Sequence, residues 1–267
     1  MNDEPGDSPA LPELIAAAAG VLRDSQCLVV LTGAGISKES GIPTFRDALD
    51  GLWARYDPQM LATALAFMQD PKLVWDWYQY RRTLLAGAQP NPGHTAIAAL
   101  QDLLPQVVVV TQNIDGLHHL AGSRDVITLH GDIRRSKCFY NCQGDPTYID
   151  VEQLEWDPEA GPPSCPHCGR WVRPDVVWFG EMLPQAALAR ARELSEAADV
   201  MLVVGTSGVV QPAAGLPAVA KQHGAAVIEV NPEHSLITSF ADYHLHGPSG
   251  VILPQVVDIL RAEHPDA

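Results

Sequence analysis

The chain has little that would tie it to a membrane or to nucleic acid. No apolar run approaches the roughly 20 residues that a membrane-spanning helix needs, so no membrane segment is expected. Positive charge is scarce: 17 Lys and Arg stand against 32 Asp and Glu, for a formal net charge of −15. Such a balance repels phosphate backbones and acidic lipid, and no basic stripe overrides it, which argues against direct nucleic-acid binding. Six of the acids, with no base among them, fall between Asp145 and Glu159 and read as a solvated loop. The first residues, Met-Asn-Asp-Glu-Pro-Gly-Asp-Ser-Pro, lack the basic and apolar regions of a secretory signal and the arginines of a transit peptide, which predicts a cytoplasmic location. Cysteine is limited to five residues, four of them clustered, and in a reducing compartment thiols stay reduced unless they hold metal.

What is present suits an α/β protein. At 267 residues and 46% apolar composition, the chain can form one large domain with a small second module. Leu11 to about Asp24 has helical spacing, with Leu14, Ile15, Ala18, Val21 and Leu22 on one side, and Val29, Val30 and Leu31 read as a buried parallel strand. Residues from about Pro58 to Ala88 form an inserted helical module, with Asp70-Pro71 as a start signal and Gly87 as a stop. Asn91-Pro-Gly-His94 opens a helix to about Leu103, and Val107–Val110 is the second buried strand. Beyond a polar, proline-rich insertion from Cys138 to about Arg173, alternation resumes: strand Val172–Phe179, helix Gln185–Ala198, strand Val200–Val204, helix Ala213–His223 and strand Ala226–Val230. A short strand and a helix after Pro254 complete it. Alternation of this kind predicts a Rossmann-like, doubly wound parallel sheet.

The polar motifs follow strand ends: Gly33–Ser37, Gln112–Asp115, His130, Gly205–Ser207 and Asn231. In an open α/β sheet such loops converge on one ligand crevice. Gly33 and Gly35 would let backbone N–H groups approach a pyrophosphate with no Cβ in the way. The loop departs from the dehydrogenase fingerprint, since Lys38 stands where a third glycine belongs and no acid-bearing second strand follows about 20 residues on. Cys138-x3-Cys142 and Cys165-x2-Cys168, separated by 22 residues, form a zinc signal, and four thiolates would saturate a tetrahedral ion in a structural site. His167 is a weaker substitute ligand, and Cys27, beside a strand, reads as a buried hydrophobe.

Gly33-Ala-Gly-Ile-Ser37 with Gly41-Ile-Pro-Thr-Phe-Arg-Asp47, then Thr111-Gln-Asn-Ile-Asp115 and Leu129-His-Gly131, resemble the sirtuin family of NAD-dependent protein deacylases, from about Leu11 to Val251. The resemblance implies a division into a tail (1–10), a Rossmann-like NAD-binding domain (11–43, 94–132 and 174–267), a helical insertion (44–93) and a zinc-binding module (133–173). It implies that Gly33, Ala34, Gly35 and Ile36 line the diphosphate and adjoining ribose of NAD, with Gly205, Thr206, Ser207 and Asn231 at the adenosine half. Phe45 and Arg46 would border the scissile nicotinamide end, and Ser37, Gln112, Asn113, Ile114 and Asp115 would form the nicotinamide side. His130 would be the catalytic base, with Asn113 orienting ribose or water. The implied reaction joins the acyl oxygen of a modified lysine to ribose C1′ as nicotinamide leaves, and ends in free lysine and O-acyl-ADP-ribose.

Substrates would be acylated-lysine proteins, laid as the resemblance implies between Val176-Val-Trp-Phe-Gly-Glu181 and Gly208-Val-Val-Gln211, with Val177, Trp178, Phe179, Gly180, Glu181 and Val209 at the peptide. Tyr78 and Arg81, three apart on a helix, share a face. This pair, with Ala62, resembles the mark of the class III subgroup that removes succinyl, malonyl and glutaryl groups. The first cysteine pair has three intervening residues where two is the commoner sirtuin spacing. A mono-ADP-ribosyltransferase, or a non-catalytic module that binds NAD or ADP-ribose, are the alternatives on the same fold.

Overall fold

The computed structural model describes residues 9–42 and 57–263. The expectations at Phe45 and Arg46 lie outside the described residues. Six strands, β1 (Cys27–Thr32), β2 (Gln106–Thr111), β3 (Val126–Thr128), β6 (Val200–Val204), β7 (Ala226–Asn231) and β8 (Tyr243–His246), form one wholly parallel sheet in the order β3-β2-β1-β6-β7-β8. Leaving aside β4 (Gly131–Cys138) and β5 (Val172–Val176), that is the doubly wound dinucleotide-binding order, whose connections reverse direction between β1 and β6.

Both faces of this sheet are covered, which explains why its central strands are continuous apolar runs rather than alternating ones. Side chains of one parity, Leu28, Val30, Val107, Val109, Leu202 and Ile228, pack into one cluster. There they meet helices α1 (Leu11–Arg23), α6 (Pro92–Leu103) and α10 (Ser249–Glu263). The other parity, Val29, Leu31, Val108, Val110, Met201 and Val227, faces helices α8 (Gln185–Ala197) and α9 (Leu216–Gln222). The expected helix after Pro254 begins earlier, at Ser249, and holds Pro254 inside it. Buried Ile252, Leu253, Val256, Val257 and Leu260 supply a helical stripe whose packing outweighs the hydrogen bond that proline removes.

The helical insertion consists, in its described part, of α3 (Pro58–Leu61), α4 (Ala64–Gln69) and α5 (Pro71–Ala86). Asp70 starts α5 as expected, its carboxylate accepting from Leu73 N–H at 2.9 Å, and Gly87 ends it. The expected strand Val172–Phe179 is corrected: β5 stops at Val176 and pairs antiparallel with β4, outside the main sheet. This ribbon crosses the expected module limits at 133 and 173. Helix α2 (Gly35–Lys38) follows β1, and α7 (Leu117–Leu120) follows the Gln112–Asp115 loop.

Candidate active site and metal centre

At the reversal between β1 and β6 the first and fourth loops touch. Gly33 N–H donates to Val204 O at 3.0 Å and Gly35 N–H to Gly205 O at 2.8 Å. A Cβ on Gly33 would stand 2.7 Å from Thr206 Cβ, and one on Gly35 would stand 2.6 Å from Gly205 O. This corrects the reading of the two glycines. Their N–H groups are taken by β6 and its loop, and the loop-to-loop contact itself requires glycine at both positions. Within the Gly33–Ser37 loop the N–H groups of Gly33, Gly35, Ile36 and Ser37 are bonded, and that of exposed Ala34 is not. Ile36 is wholly buried in the core, so only its backbone can line the crevice.

Behind this loop sits a buried polar cluster. Ser37 Oγ donates to Asp115 Oδ2 at 2.7 Å, and Asn113 Nδ2 donates to Gly33 O at 3.0 Å and to Ser37 Oγ at 3.1 Å. Thr206 Oγ1 accepts from Gln112 Nε2 at 3.1 Å, and Asn231 Nδ2 donates to Thr206 O at 3.0 Å, so the expected adenosine-side residues are also tied together. Sequence reasoning missed the layer beneath: Thr32 and Thr111 join through their hydroxyls at 2.8 Å, and Thr32 meets His118 Nε2 at 2.9 Å. His118 packs on His94 with ring centres 5.0 Å apart. Burial, then the neighbouring His94 and His119, drives the His118 pKa down to about 3, and burial lowers that of His94. A threonine closing each of two apolar strands was the available signal.

His130 is half-buried at the end of Leu129, and its Nδ1 lies 2.8 Å from Gln112 O. A carbonyl only accepts, so Nδ1 carries the proton and Nε2 keeps the lone pair. Burial lowers the His130 pKa against the opposing pull of that carbonyl. The chain must turn sharply afterwards: Gly131 has φ +85°, and a side chain there would collide with the Asp175 backbone.

Tyr78 and Arg81 do come together, with the guanidinium 5.8 Å from the Tyr78 ring centre and 5.2 Å from that of Trp77. Tyr78 is wholly buried and its hydroxyl accepts from Trp178 Nε1 at 2.9 Å, which leaves its own proton to donate. Burial pushes the Tyr78 pKa up to about 12 and lowers that of Arg81. Ala62 is buried, and its carbonyl accepts from Phe179 N–H at 2.9 Å.

Along Val177–Phe179 the N–H groups are already engaged within the chain. Val177 N–H is held by His130 O, Trp178 N–H by Glu181 and Phe179 N–H by Ala62 O, because this segment ties three modules together. Trp178 is buried, so its indole faces the core, and Glu181 is engaged by Arg173 and Trp178 N–H rather than free for a ligand. Phe179 and Val209 present exposed apolar side chains, and Gly180 is exposed between Phe179 and Glu181.

The four cysteines gather although their pairs are 22 residues apart in sequence. Cys138 Sγ stands 3.6 Å from Cys168 Sγ, and Cys142 Sγ stands 3.8 Å from Cys165 Sγ, with all four sulfurs within 4.8 Å of one another. A tetrahedral zinc ion with Zn–S near 2.3 Å requires sulfurs about 3.8 Å apart, so the set fits zinc and leaves no open position. The three-residue spacing of the first pair is absorbed by a turn in which Asn141 takes φ +49°. His167 is not in the cluster, and Cys27 is the buried hydrophobe expected.

Comparison with known proteins agrees with this geometry. The Sir2 family profile matches residues 33–212. "NAD-dependent protein deacylase 1" of Pseudomonas aeruginosa is 51% identical over 245 residues, covering 90% of this chain and 97% of that protein. A Sir2 homologue solved as a complex with NAD superposes with TM-score 0.85 at 46% identity, over 92% of this chain and 94% of that one. Sir2Af2, solved bound to a myristoylated histone peptide, gives TM-score 0.74 at 34% identity, over 96% and 99% of the two chains. With the family profile spanning residues 33–212 and a relative 51% identical over nine-tenths of this chain, the chain belongs to the Sir2 family.

Proposed function

We propose that the protein is an NAD-dependent protein-lysine deacylase, which transfers the acyl group to ADP-ribose and releases nicotinamide. The observation that carries this reading is the state of His130, a neutral imidazole whose Nδ1–H is bound by Gln112 O and whose Nε2 is available to take a proton. A group of that kind suits removal of a ribose hydroxyl proton, not attack as a strong nucleophile. NAD supplies the ribose acceptor and the nicotinamide leaving group. Ala34 N–H and the loop around Gly205, Thr206, Ser207 and Asn231 would hold its diphosphate and adenosine half, and Ser37, Asn113 and Asp115 would seat the nicotinamide side. Zinc held by Cys138, Cys142, Cys165 and Cys168 would be structural, fixing the module that carries β5 into the substrate segment. The four-part division of the chain, a reducing cytoplasmic setting and acylated-lysine proteins as substrates accompany this reading.

The finer reading is acyl choice. Arg81 offers a planar fork to a carboxylate and Tyr78 a hydroxyl proton beside it, so the pocket favours succinyl-, malonyl- or glutaryl-lysine. A charge-assisted hydrogen bond of about 1.5–3 kcal/mol corresponds to one to two decades in kcat/KM. Mass spectrometry of products from an acyl-peptide panel with NAD tests the activity: free lysine with O-acyl-ADP-ribose supports deacylation, whereas ADP-ribosylated protein without deacylation supports the transferase alternative. Arg81→Met should remove desuccinylation and spare deacetylation. Equal losses on both acyl groups would assign Arg81 to the fold or the NAD side instead.

A further inference from the structure

Three histidines gather at the free edge of the main sheet, and neither the proposed reaction nor the cysteine cluster uses them. His244 and His246 lie two apart on the edge strand β8 and so project to one face, while His234 lies beyond the end of β7. The rings of His234 and His244 have centres 5.0 Å apart, and those of His244 and His246 are 5.8 Å apart. Two imidazoles that share one ion at a metal–nitrogen distance near 2.1 Å, in tetrahedral array, have ring centres about 5 Å apart. The spacing is therefore that of rings able to share an ion.

A second observation comes from the inner side of His244. Its Nε2 is buried without a hydrogen bond and stands 4.0 Å from Glu229 Oε2. Glu229 is itself wholly buried within β7, where the hydroxyls of Ser235 and Thr238 hold it. A buried ring nitrogen facing a fixed carboxylate leaves the opposite nitrogen as the one available to an ion, which is how proteins orient a metal-ligating histidine from behind.

We infer that His234, His244 and His246 form a second metal site, for a borderline divalent ion such as Zn²⁺ or Ni²⁺, with Glu229 as the positioning residue behind His244. Imidazole suits these ions, and a carboxylate behind the three rings adds attraction for a dication. Three protein ligands leave a fourth position to water, so this site is open where the cysteine site is closed. The cysteines are the only described set with all ligand atoms within 4.8 Å, so closure on an ion requires the rings of His234 and His246 to turn. Both are exposed, and exposed side chains change rotamer within nanoseconds.

The test uses the tag-free full chain, already loaded with zinc at its cysteines, in equilibrium dialysis against Ni²⁺. One Ni²⁺ per chain beyond the resident zinc is expected. His234→Gln with His246→Gln should weaken Ni²⁺ binding at least tenfold, on the order of the losses seen when a metal site is damaged, with zinc content and melting curve unchanged. In the unsubstituted protein, paramagnetic Ni²⁺ should broaden the ring signals of His244 and His246 before those of His167 and His223. The site is overturned by an absence of extra Ni²⁺, by equal affinity in the double variant, or by earlier broadening at the other histidines.

Discussion

Single residues near the crevice act through groups they have already committed. His130 is neutral and poised because one nitrogen is tied to Gln112 O, and burial keeps its pKa below the ordinary 6.5. Replacing it with alanine should lower turnover on an acyl peptide about 10²–10⁴-fold, the range for general-base loss, while the Kd for NAD stays near that of the unsubstituted protein. Wild-type turnover in that variant would remove His130 from the reaction. The base works deprotonated, so activity is lost as pH falls through its folded pKa. Since that value is depressed, the midpoint of the acid limb of kcat/KM should lie below pH 6.5. An acid limb centred above 6.5 would contradict the buried, neutral state. Gly35 is sensitive for a different reason: a Cβ there would stand 2.6 Å from Gly205 O. Gly35→Ala should cost about 1–3 kcal/mol by overpacking, read as a lowered Tm, and should raise the KM for NAD as the two loops separate. An unchanged Tm would mean that the loops yield freely.

Among the elements, the β4–β5 ribbon links the cysteine cluster to the proposed substrate segment. It carries Cys138 at the end of β4, and β5 runs on into Val177, Trp178 and Phe179, whose N–H groups bind His130, Glu181 and Ala62. The apolar cluster under the cysteines is small and includes two of them, Cys138 and Cys165, among Trp75, Ile149 and Val172. So little apolar burial cannot stabilise the module by itself, and the metal must supply the difference. Chelation or Cys165→Ala should abolish the structure of this module, with near-ultraviolet circular dichroism reporting it, and reduce activity while the six-stranded sheet persists. A metal-free protein with a native melting curve and full activity would refute a structural role for zinc.

Across the whole molecule, acid sensitivity should come from buried histidines as well as from carboxylates. The folded pKa of His118 is about 3, against an ordinary 6.5, and that of His94 is also lowered, so the unfolded chain takes up protons that the folded one refuses. Stability is therefore full above pH 6.5 and falls as pH drops below it, for His118 all the way toward pH 3, at up to about 1.4 kcal/mol per pH unit for each such group. Urea midpoints should decline between pH 7 and 5, and more steeply than in a His118→Asn variant. Parallel slopes in the two proteins would show that His118 is not kept neutral. Among the described residues no helix is long and apolar enough to cross a membrane.

Much of this was legible in the chain itself. Apolar runs two-sidedly buried in a parallel sheet look the same in sequence as in space, so β1, β2, β6 and β7 were readable, as were the Asp70 cap and the cysteine pairs, whose chemistry depends on residue type and local spacing. What only the tertiary structure decided is partner choice. Periodicity reports that Val172–Val176 is buried but not that its partner is β4 rather than the main sheet. Glycine at 33 and 35 signals close approach without saying that Gly205 and Thr206 are what comes close. Glu181 reads as a free acid until Arg173 reaches it, and the Thr32, Thr111, His118 and His94 layer joins residues up to 86 apart. Side-chain type and spacing determine which groups can interact; the three-dimensional path of the chain determines which of them meet, because hydrogen bonds and van der Waals contacts act over a few ångströms and sequence separation does not measure that distance.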